Sequence, residues 1–277
     1  MARILVAEDE ASLSRVISEI LESAGFEVAT ARDGVEALER LAQSEFDLLL
    51  TDIRMPRLDG LELLARIRDM TRRPRVIVLT SDAAPQTVLQ AIREQALVYL
   101  TKPVHAAQLV SAVQEVLALP PPSHPIEVLS ATPQWVELLL PCELAVADRI
   151  QGLLEHLETD LSEEVREAVG RVFRELLLNA IEWGGRLDPN RKVRVSYLRA
   201  RKMLLYRIAD PGPGFRLEGL THAAIANPPD APVDHAQVRE EKGLRPGGLG
   251  VLIARSMADE LIYNEARNEV VFVKYLT

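Results

Sequence analysis

The first 119 residues alternate five short apolar runs with stretches whose apolar residues recur at helical spacing. The runs are RILVA (3–7), FEVAT (26–30), FDLLLT (46–51), RVIVLT (75–80) and LVYL (97–100). Continuous Val, Ile and Leu segments of this length are typical of strands that are covered on both faces, as in a parallel sheet. Because helical stretches such as SLSRVISEILESA and LELLARIRDM separate the runs, the pattern predicts an α/β domain with a doubly wound, five-stranded parallel sheet.

This alternation stops at the segment LPPPSHP (119–125). Consecutive prolines favour polyproline II, which has no internal hydrogen bonds and forms a stiff spacer. We therefore predict a first domain over residues 1–119, a proline-rich linker over residues 120–125 and a second domain over residues 126–277.

The second domain has a different order of elements. The segments IEVLS and WVELLL read as strands, and CELAVADRIQGLLEHLE and SEEVREAVGRVFRELLLNAIEWG read as helices. KVRVSYLRA and MLLYRIAD then read as strands, followed by a helix near GGLGVLIARSMAD and the strands ELIYNE and EVVFVKYL. Ser162 is expected to cap the second helix, and Gly184 and Gly185 are expected to end it. Helices grouped apart from a largely antiparallel sheet predict a two-layer α+β domain.

Charge and composition narrow the class of function. The chain of 277 residues carries a formal net charge of −9, and both parts are acidic: residues 1–119 contain 13 Lys and Arg against 18 Asp and Glu, and residues 120–277 contain 19 against 23. We expect no nucleic-acid partner, since neutralising a phosphate backbone needs a basic excess. The apolar runs are too short to span a bilayer, so we expect no membrane partner and a cytoplasmic location. Cys142, the one cysteine, is expected to be a buried apolar residue.

Polar residues follow four of the five apolar runs in the first domain. Glu8 and Asp9 follow the first run, Asp52 the third and Lys102 the fifth, and Thr80 ends the fourth. Ligands of open parallel sheets bind at the carboxyl ends of the strands, so these side chains are expected to meet there. Three converging carboxylates are most simply reconciled by a hard divalent cation such as Mg²⁺. One of them can then act as a nucleophile toward a phosphoryl donor.

On these residues, the first domain resembles the receiver domain of two-component response regulators over its whole length. The matching motifs are VAEDE, LLLTDIRMPRLDG, VLTS and YLTKPV. The resemblance implies that Asp52 is the phosphoacceptor and that Mg²⁺ is bound by Glu8, Asp9, Asp52 and the backbone carbonyl of Arg54.

The same resemblance assigns three further residues. It implies that Lys102 contacts the phosphoryl group, that Thr80 is the hydroxyl which responds to it, and that Tyr99 is the aromatic residue which reorients with Thr80. Gln95 departs from the family pattern, which often has glycine before the last strand, and this puts the geometry of that loop in question.

The second domain carries three polar or glycine-rich features in a fixed order. Glu175 and Asn179 lie four residues apart on a predicted helix and therefore share a face. The segment DPGPGF (210–215) is a turn by its composition, and glycine is used where backbone passes close to a ligand. RPGGLG (245–250) then opens a helix, where backbone N–H groups can bind an anion. Glu175 and Asn179 alone could equally be a pair on a solvated face.

That order resembles the ATP-binding domain shared by gyrase-type ATPases and histidine kinases, in the compact version of the anti-sigma-factor serine kinases. The phrases ELLLNAIEWG and GGLGVLIARSMADELIY carry the resemblance over about residues 126–277. It implies that Asn179 binds the Mg²⁺ of ATP, that Glu175 positions or deprotonates the attacking group, and that Asp210 recognises the adenine amino group. Gly212 and Gly214 would then shape the adenine pocket.

The resemblance also assigns the later glycines. Gly247, Gly248 and Gly250 are expected to contact the phosphates, and residues 216–246 are expected to form a lid over them. Trp183 stands where relatives commonly have histidine.

These features predict a response regulator that is phosphorylated on Asp52 and whose output is a serine/threonine-kinase-like ATPase domain. The expected partners are a sensor histidine kinase and a target such as an anti-sigma-factor antagonist or a sigma factor, and the receiver could form a homodimer. Two alternatives stay open: an ATP-binding module that captures a partner without phosphorylating it, and a kinase acting on a histidine of another chain. His156, the candidate histidine in this chain, lies 19 residues before Glu175, which leaves no room for a dimerisation hairpin.

Overall fold

A computed structural model describes residues 1–81, 84–119, 124–215, 240–241 and 250–276. The chain divides into two compact units, Met1–Ser123 and His124–Thr277. Within the described residues, no helix is both long enough and apolar enough to cross a membrane.

The first unit contains five strands and five helices among its described residues. In chain order they are β1 (Arg3–Ala7), α1 (Ala11–Ser23), β2 (Glu27–Ala31), α2 (Gly34–Gln43), β3 (Leu48–Thr51), α3 (Gly60–Ile67), β4 (Arg75–Thr80), α4 (Pro85–Arg93), β5 (Val98–Thr101) and α5 (Ala106–Ala118). The strands pair in parallel in the order β2-β1-β3-β4-β5. The predicted doubly wound, five-stranded parallel sheet is confirmed, and its strand order is the flavodoxin-like one.

The central strands explain the continuous apolar runs of the sequence. All four residues from Ile4 to Ala7 in β1 are at most 1% exposed, because helices cover both faces of the sheet. The edge strand β2 differs, since Glu27 is exposed and Ala31 is buried. The burial on both faces holds the carboxyl ends of β1 and β3 side by side, with Ala7 paired to Thr51.

The second unit has six strands and three α-helices among its described residues. In chain order they are β6 (Glu127–Thr132), β7 (Trp135–Pro141), α6 (Leu144–Glu155), α7 (Glu163–Asn179), β8 (Lys192–Ala200), β9 (Met203–Ala209), α8 (Gly250–Met257), β10 (Glu260–Tyr263) and β11 (Glu269–Tyr275). The sheet order is β10-β11-β9-β8-β7-β6, and every neighbouring pair is antiparallel. The predicted α+β arrangement with an antiparallel sheet is confirmed.

Aromatic side chains join helix α7 to this sheet. The ring centroids of Phe173 in α7 and Tyr206 in β9 lie 5.0 Å apart. Tyr206 also stacks on Phe272 of β11 at 4.9 Å and meets Tyr197 of β8 edge-on at 5.1 Å. All four side chains are at most 2% exposed, so this cluster fixes α7 against the middle of the sheet.

Helix α7 begins as the sequence predicts but ends differently. Ser162 caps it by accepting a hydrogen bond from the Val165 amide at 3.4 Å. Its α-helical part stops at Asn179, and a π-helical turn, Ala180–Gly184, follows, which contains the first of the two glycines and is capped by the second, Gly185. The Gly185 amide donates to the Ala180 carbonyl at 2.8 Å, which widens the last turn by one residue relative to an α-helix. The expected single α-helix up to Gly184 is therefore corrected.

Candidate functional sites

Three carboxylates converge at the carboxyl ends of β1 and β3. One carboxylate oxygen from each of Glu8, Asp9 and Asp52 lies within 4.8 Å of the other two. Glu8 is 3% and Asp52 6% exposed, whereas Asp9 is exposed. Oxygen ligands of this kind at this separation suit a hard divalent cation, so the residues fit the Mg²⁺ that the sequence predicts.

Lys102 lies against two of these carboxylates. Its Nζ donates to Asp52 Oδ2 at 2.6 Å and to Glu8 Oε2 at 2.7 Å. Burial alone would lower the pKa of Lys102, but the hydrogen bonds to Asp52 and Glu8 outweigh it and raise that pKa. Burial raises the pKa of Glu8, and the nearby ammonium opposes that shift. The ammonium of Lys102 thus stays charged beside Asp52, where it can offset negative charge on a phosphoryl group.

The second oxygen of Asp52 is held by the backbone that follows it. Asp52 Oδ1 accepts hydrogen bonds from the amides of Ile53 at 2.5 Å and Arg54 at 3.3 Å. The loop after β3 therefore curls around the carboxylate. The role of the Arg54 carbonyl as a metal ligand stays a prediction.

Thr80 lies on β4, the neighbour of β3, and Tyr99 lies on β5, the neighbour of β4. Thr80, at the end of β4, is fully buried, and its carbonyl accepts a hydrogen bond from the Lys102 amide at 2.9 Å. Tyr99 in β5 pairs with Val78 of β4 and is 3% exposed. The sheet register therefore brings Thr80 next to Lys102, and their roles in switching stay predictions.

Gln95 has a backbone conformation that glycine adopts more readily. Its φ angle is +58°, in the left-handed region, and its amide donates to the Ile92 carbonyl at 3.0 Å. The loop before β5 therefore has the backbone geometry that favours glycine, despite the departure in sequence.

A cavity of about 620 Å³ lies beside the end of α7 in the second unit. Its lining includes Asn179, Asp210, Gly214 and Gly250, four of the residues that the sequence assigns to ATP. Glu175 and Gly212 are not in the lining but lie next to residues that are. Gly247, Gly248 and nearly all of the expected lid over residues 216–246 lie outside the described residues.

Glu175 and Asn179 converge on the start of α8. A Cβ atom added to Gly250 would lie 2.9 Å from Glu175 Oε2 and 3.0 Å from Asn179 Nδ2. The helical spacing thus places both side chains on one face, as expected, and that face contacts a glycine. A larger residue at position 250 would displace one of the two polar side chains.

Asp210 is fixed by backbone on both sides. Its Oδ1 accepts from the Gly212 amide at 2.7 Å, and its own amide donates to the Asn268 carbonyl at 2.8 Å. A Cβ atom on Gly184 would lie 2.2 Å from Asp210 Cγ, so the π-helical turn contacts the carboxylate directly. Burial raises the pKa of Asp210, and the Gly212 amide and Arg191 oppose that shift.

The turn DPGPGF requires its second glycine. Gly214 has a φ angle of +82°, and an added Cβ atom would lie 1.6 Å from the Ala266 carbonyl oxygen. The Asn268 side chain donates to the Gly212 carbonyl at 3.0 Å and closes the turn from the same direction. Pro213, Gly214 and Phe215 of this turn together form one wall of the cavity.

Three cavity residues were missed or left without a role by sequence reasoning. Trp183, Arg186 and Leu187 line the cavity, and Trp183 and Leu187 are 42% and 49% exposed. Arg186 and Leu187 have φ angles of +60° and +55°. The sequence gives no signal for this arrangement, because it depends on the π-helical turn and two consecutive left-handed residues.

Each of the two units matches a known protein family. The model of the response regulator receiver domain family matches residues 4–114, and that of the histidine kinase-like ATPase domain family matches residues 142–274. The response regulator receiver protein CpdR of Brucella abortus is 36% identical over 42% of this chain and 98% of its own length. The transcriptional regulatory protein ZraR of Klebsiella oxytoca is 36% identical over 42% of this chain and 26% of its own length.

Among solved structures, a response regulator receiver domain protein of Clostridium thermocellum is 34% identical, covers 42% of this chain and 94% of its own, and has a TM-score of 0.40. The chain spans about a quarter of the length of the ZraR proteins that it matches, 26% in the Klebsiella case. With a receiver sequence that aligns to nearly all of CpdR, the chain belongs to the response regulators. More narrowly, it fuses a receiver domain to a histidine kinase-like ATPase domain.

Proposed function

We propose that this protein receives a phosphoryl group on Asp52 and that its ATPase domain acts as a serine/threonine-type kinase on a partner protein. For the receiver, the supporting observation is the Lys102 ammonium 2.6 Å from a buried Asp52, beside Glu8 and Asp9. The phosphoryl donor would be a phosphohistidine of a sensor histidine kinase.

In the receiver, the buried carboxylate of Asp52 attacks the phosphorus, and the bond to the donor nitrogen breaks. Lys102 offsets charge on the transferred group, and the amides of Ile53 and Arg54 orient the carboxylate. Bound by Glu8, Asp9, Asp52 and the Arg54 carbonyl, Mg²⁺ would supply further positive charge. Thr80 and Tyr99 would then respond to the phosphoryl group and alter the surface formed by α4, β5 and α5.

For the ATPase domain, the supporting observation is the convergence of Glu175 and Asn179 on Gly250 beside a cavity that Asp210 lines. Asp210 would accept a hydrogen bond from the adenine amino group, and Gly212 and Gly214 would shape that pocket. Asn179 would hold the Mg²⁺ of ATP, and Gly247, Gly248 and Gly250 would contact its phosphates. Glu175 would accept the proton of a partner hydroxyl as it attacks the γ-phosphorus.

The proposed setting is a cytoplasmic partner switch. The target would be an anti-sigma-factor antagonist or a sigma factor, and the receiver could dimerise through α4 and α5. The linker over residues 120–125 would join the receiver of residues 1–119 to the ATPase domain of residues 126–277.

A capture module is the second candidate, because Glu175 is not among the residues that line the cavity. In that case the domain binds ATP and a partner without transferring phosphate. Glu175→Gln separates the two: loss of partner phosphorylation with ATP binding retained supports the kinase, and unchanged partner regulation supports the capture module. An acid-labile phosphorylated product would instead indicate a histidine on another chain as the acceptor.

Calorimetry of Mg²⁺·ATP binding, with and without beryllofluoride on the receiver, tests the proposal. We expect the chain to bind Mg²⁺·ATP and Asn179→Ala to abolish this binding. The affinity for ATP should change when beryllofluoride is bound to the receiver. Absence of ATP binding in both states would overturn the kinase and leave a receiver joined to an interaction domain.

A further inference from the structure

An ion pair joins the loop after Asp52 to the start of α2. Arg57 Nε donates to Asp33 Oδ2 at 2.8 Å, and Arg57 Nη2 contacts the same oxygen. The side chain of Asp33 is 3% exposed and that of Arg57 is 49% exposed. Ion pairs between two exposed side chains contribute little to stability, but here one partner is almost completely buried.

Asp33 is held in place independently of Arg57. As the N-cap of α2, its Oδ1 accepts from the amides of Val35 at 2.9 Å and Glu36 at 3.0 Å. Burial alone would raise the pKa of Asp33, but the hydrogen bonds from the Glu36 amide and Arg57 outweigh it and lower that pKa. The carboxylate is therefore a fixed, charged anchor on the body of the receiver.

The loop contacts this anchor at a second point. The Gly34 amide donates to the Leu58 carbonyl at 3.1 Å, and a Cβ atom on Gly34 would lie 2.6 Å from that oxygen. At its other end the loop is closed by the Gly60 amide, which donates to the Ile53 carbonyl at 2.8 Å. Residues 53–59 are thus fixed at both ends, and Arg57 holds the outer part of the loop.

Arg57 adopts an unfavourable backbone conformation to make this contact. Its φ angle is +64°, in the left-handed region, which is unfavourable for a residue with a Cβ atom. Two hydrogen bonds to a charged carboxylate can offset such a cost. Strained residues of this kind cluster where the surrounding structure must fix a functional geometry.

We propose that Arg57 and Asp33 are positioning residues that hold the loop after Asp52 in its metal-binding conformation. The inference rests on the proposed Mg²⁺ site, because the loop carries Arg54, whose amide donates to Asp52 and whose carbonyl is the proposed ligand. Released from Asp33, the loop keeps its buried anchors Met55 and Leu58 but loses the side-chain contact that sets its outer turn. Removing a direct hydrogen-bond partner of a metal ligand weakens metal binding about 10- to 100-fold, and Arg57, which acts on Arg54 through the loop, should have an effect at the lower end of that range.

A Mg²⁺ titration of the full chain, in the absence of nucleotide, tests the inference by calorimetry. We expect Arg57→Ala and Asp33→Asn each to raise the Kd for Mg²⁺ about tenfold. Asparagine keeps the helix cap, so Asp33→Asn removes the ion pair and leaves α2 capped. The substitution also prevents Arg32, whose Nε lies 3.9 Å from Asp33 Oδ2, from forming an ion pair with residue 33 in place of Arg57.

The double variant should raise the Kd no further than either single variant, because both remove the same contact. Arg57→Lys should restore part of the affinity. Arg40→Ala is the matched control, because Arg40 pairs with Glu36 at 2.8 Å on the same helix and not with the loop. The Kd of the Arg40→Ala variant for Mg²⁺ should equal that of the unsubstituted chain. Hydrogen exchange should accelerate at residues 53–60 in Arg57→Ala and not in Arg40→Ala.

Two results would overturn the inference. Unchanged Kd values in Arg57→Ala and Asp33→Asn, with only a lower unfolding temperature, would mean that the pair stabilises the fold and does not position the metal site. If the unsubstituted chain does not bind Mg²⁺, or if Asp9→Ala leaves Mg²⁺ binding unchanged, the proposed metal site is overturned as well. This outcome is distinguishable from the first, in which the chain binds Mg²⁺ and Asp9→Ala removes that binding.

Discussion

At the scale of single residues, Lys102 determines how the receiver site balances its charges. It gives two strong hydrogen bonds to buried carboxylates, and a divalent cation would have to share those carboxylates with it. The site is therefore neutralised in part before any metal binds. The same side chain contributes to the stability of the metal-free receiver and competes electrostatically with the metal.

We predict that Lys102→Met lowers the stability of the metal-free receiver by about 3 kcal/mol, because it leaves the buried carboxylates of Glu8 and Asp52 without the cation that pairs with both. Added Mg²⁺ should stabilise this variant more than the unsubstituted receiver, as measured by scanning calorimetry of the full chain. Lys192→Met is the control, since Lys192 and Glu127 form a more exposed pair in the second unit, 33% and 44% exposed. Equal stabilisation by Mg²⁺ with and without Lys102 would contradict the prediction.

Two glycines with left-handed backbones provide a second prediction at this scale. Gly214→Ala adds a steric clash with Ala266 to the cost of a positive φ, whereas an added Cβ atom at Gly25, with φ +93°, meets nothing within 4 Å. We expect Gly25→Ala to cost about 1 kcal/mol in the free energy of unfolding and Gly214→Ala considerably more, with loss of ATP binding. Thermal unfolding and nucleotide titration measure both. Similar costs for the two would show that the clash at Gly214 is relieved by movement of the turn.

At the scale of elements, the sequence predicts regular structure well and its interruptions poorly. The continuous apolar runs identify the central parallel strands because both faces of the sheet are covered there, and Ser162 marks the start of α7. The ion pair between Arg57 and Asp33 could not be predicted, since it joins residues 24 apart through a left-handed backbone. The π-helical turn after Asn179 could not be predicted either, since Gly184 within it and Gly185 after it lie against Asp210 and Cys142, which are distant in sequence.

The 3₁₀ turn after α6 carries a titratable group into the core of the second unit. Glu158 is 2% exposed and accepts a hydrogen bond from Tyr206 at 2.5 Å. Its surroundings include Glu155 of α6, Arg166 of α7, and Tyr197 and Arg199 of β8. Burial raises the pKa of Glu158 to about 7, above its ordinary value of 4.5.

Because the folded state holds this proton more tightly than the unfolded state, the stability from Glu158 is fully present below pH 4.5 and is lost as the pH rises toward 7. We predict a fall of up to about 3 kcal/mol in the free energy of unfolding of the second unit over that interval. Glu158→Gln, which keeps an acceptor for Tyr206, should remove this dependence. Tryptophan fluorescence during denaturation measures it selectively, since Trp135 and Trp183, the two tryptophans of the chain, both lie in the second unit. An unchanged pH profile in Glu158→Gln would assign the dependence to other groups.

At the scale of the whole molecule, each proposed site lies within one compact unit with its own core. The receiver carboxylates directly follow β1 and β3, and the cavity proposed to bind ATP is lined by residues of the second unit. Each site should therefore form without the other. Regulation would then change the properties of a site that is already formed, and would not assemble it.

We predict that Asn179→Ala leaves phosphorylation of Asp52 by acetyl phosphate unchanged, and that Asp52→Asn leaves the affinity for ATP of the unphosphorylated chain unchanged. Only the effect of beryllofluoride on ATP affinity should disappear in Asp52→Asn. Phosphate-affinity electrophoresis and calorimetry measure the two sides. A loss of ATP binding in Asp52→Asn would show that the nucleotide site depends on the receiver for its formation.

The contact between Gly184 and Asp210 limits how the cavity can be altered by substitution. Gly184 leaves no room between the π-helical turn and the Asp210 carboxylate. The turn, which directly follows Asn179, therefore packs tightly against the carboxylate that lines the cavity. A substitution at Asp210 alone would leave a gap or a collision at Gly184. If the cavity binds ATP as proposed, changing its base preference therefore requires redesigning the π-helical turn together with the carboxylate.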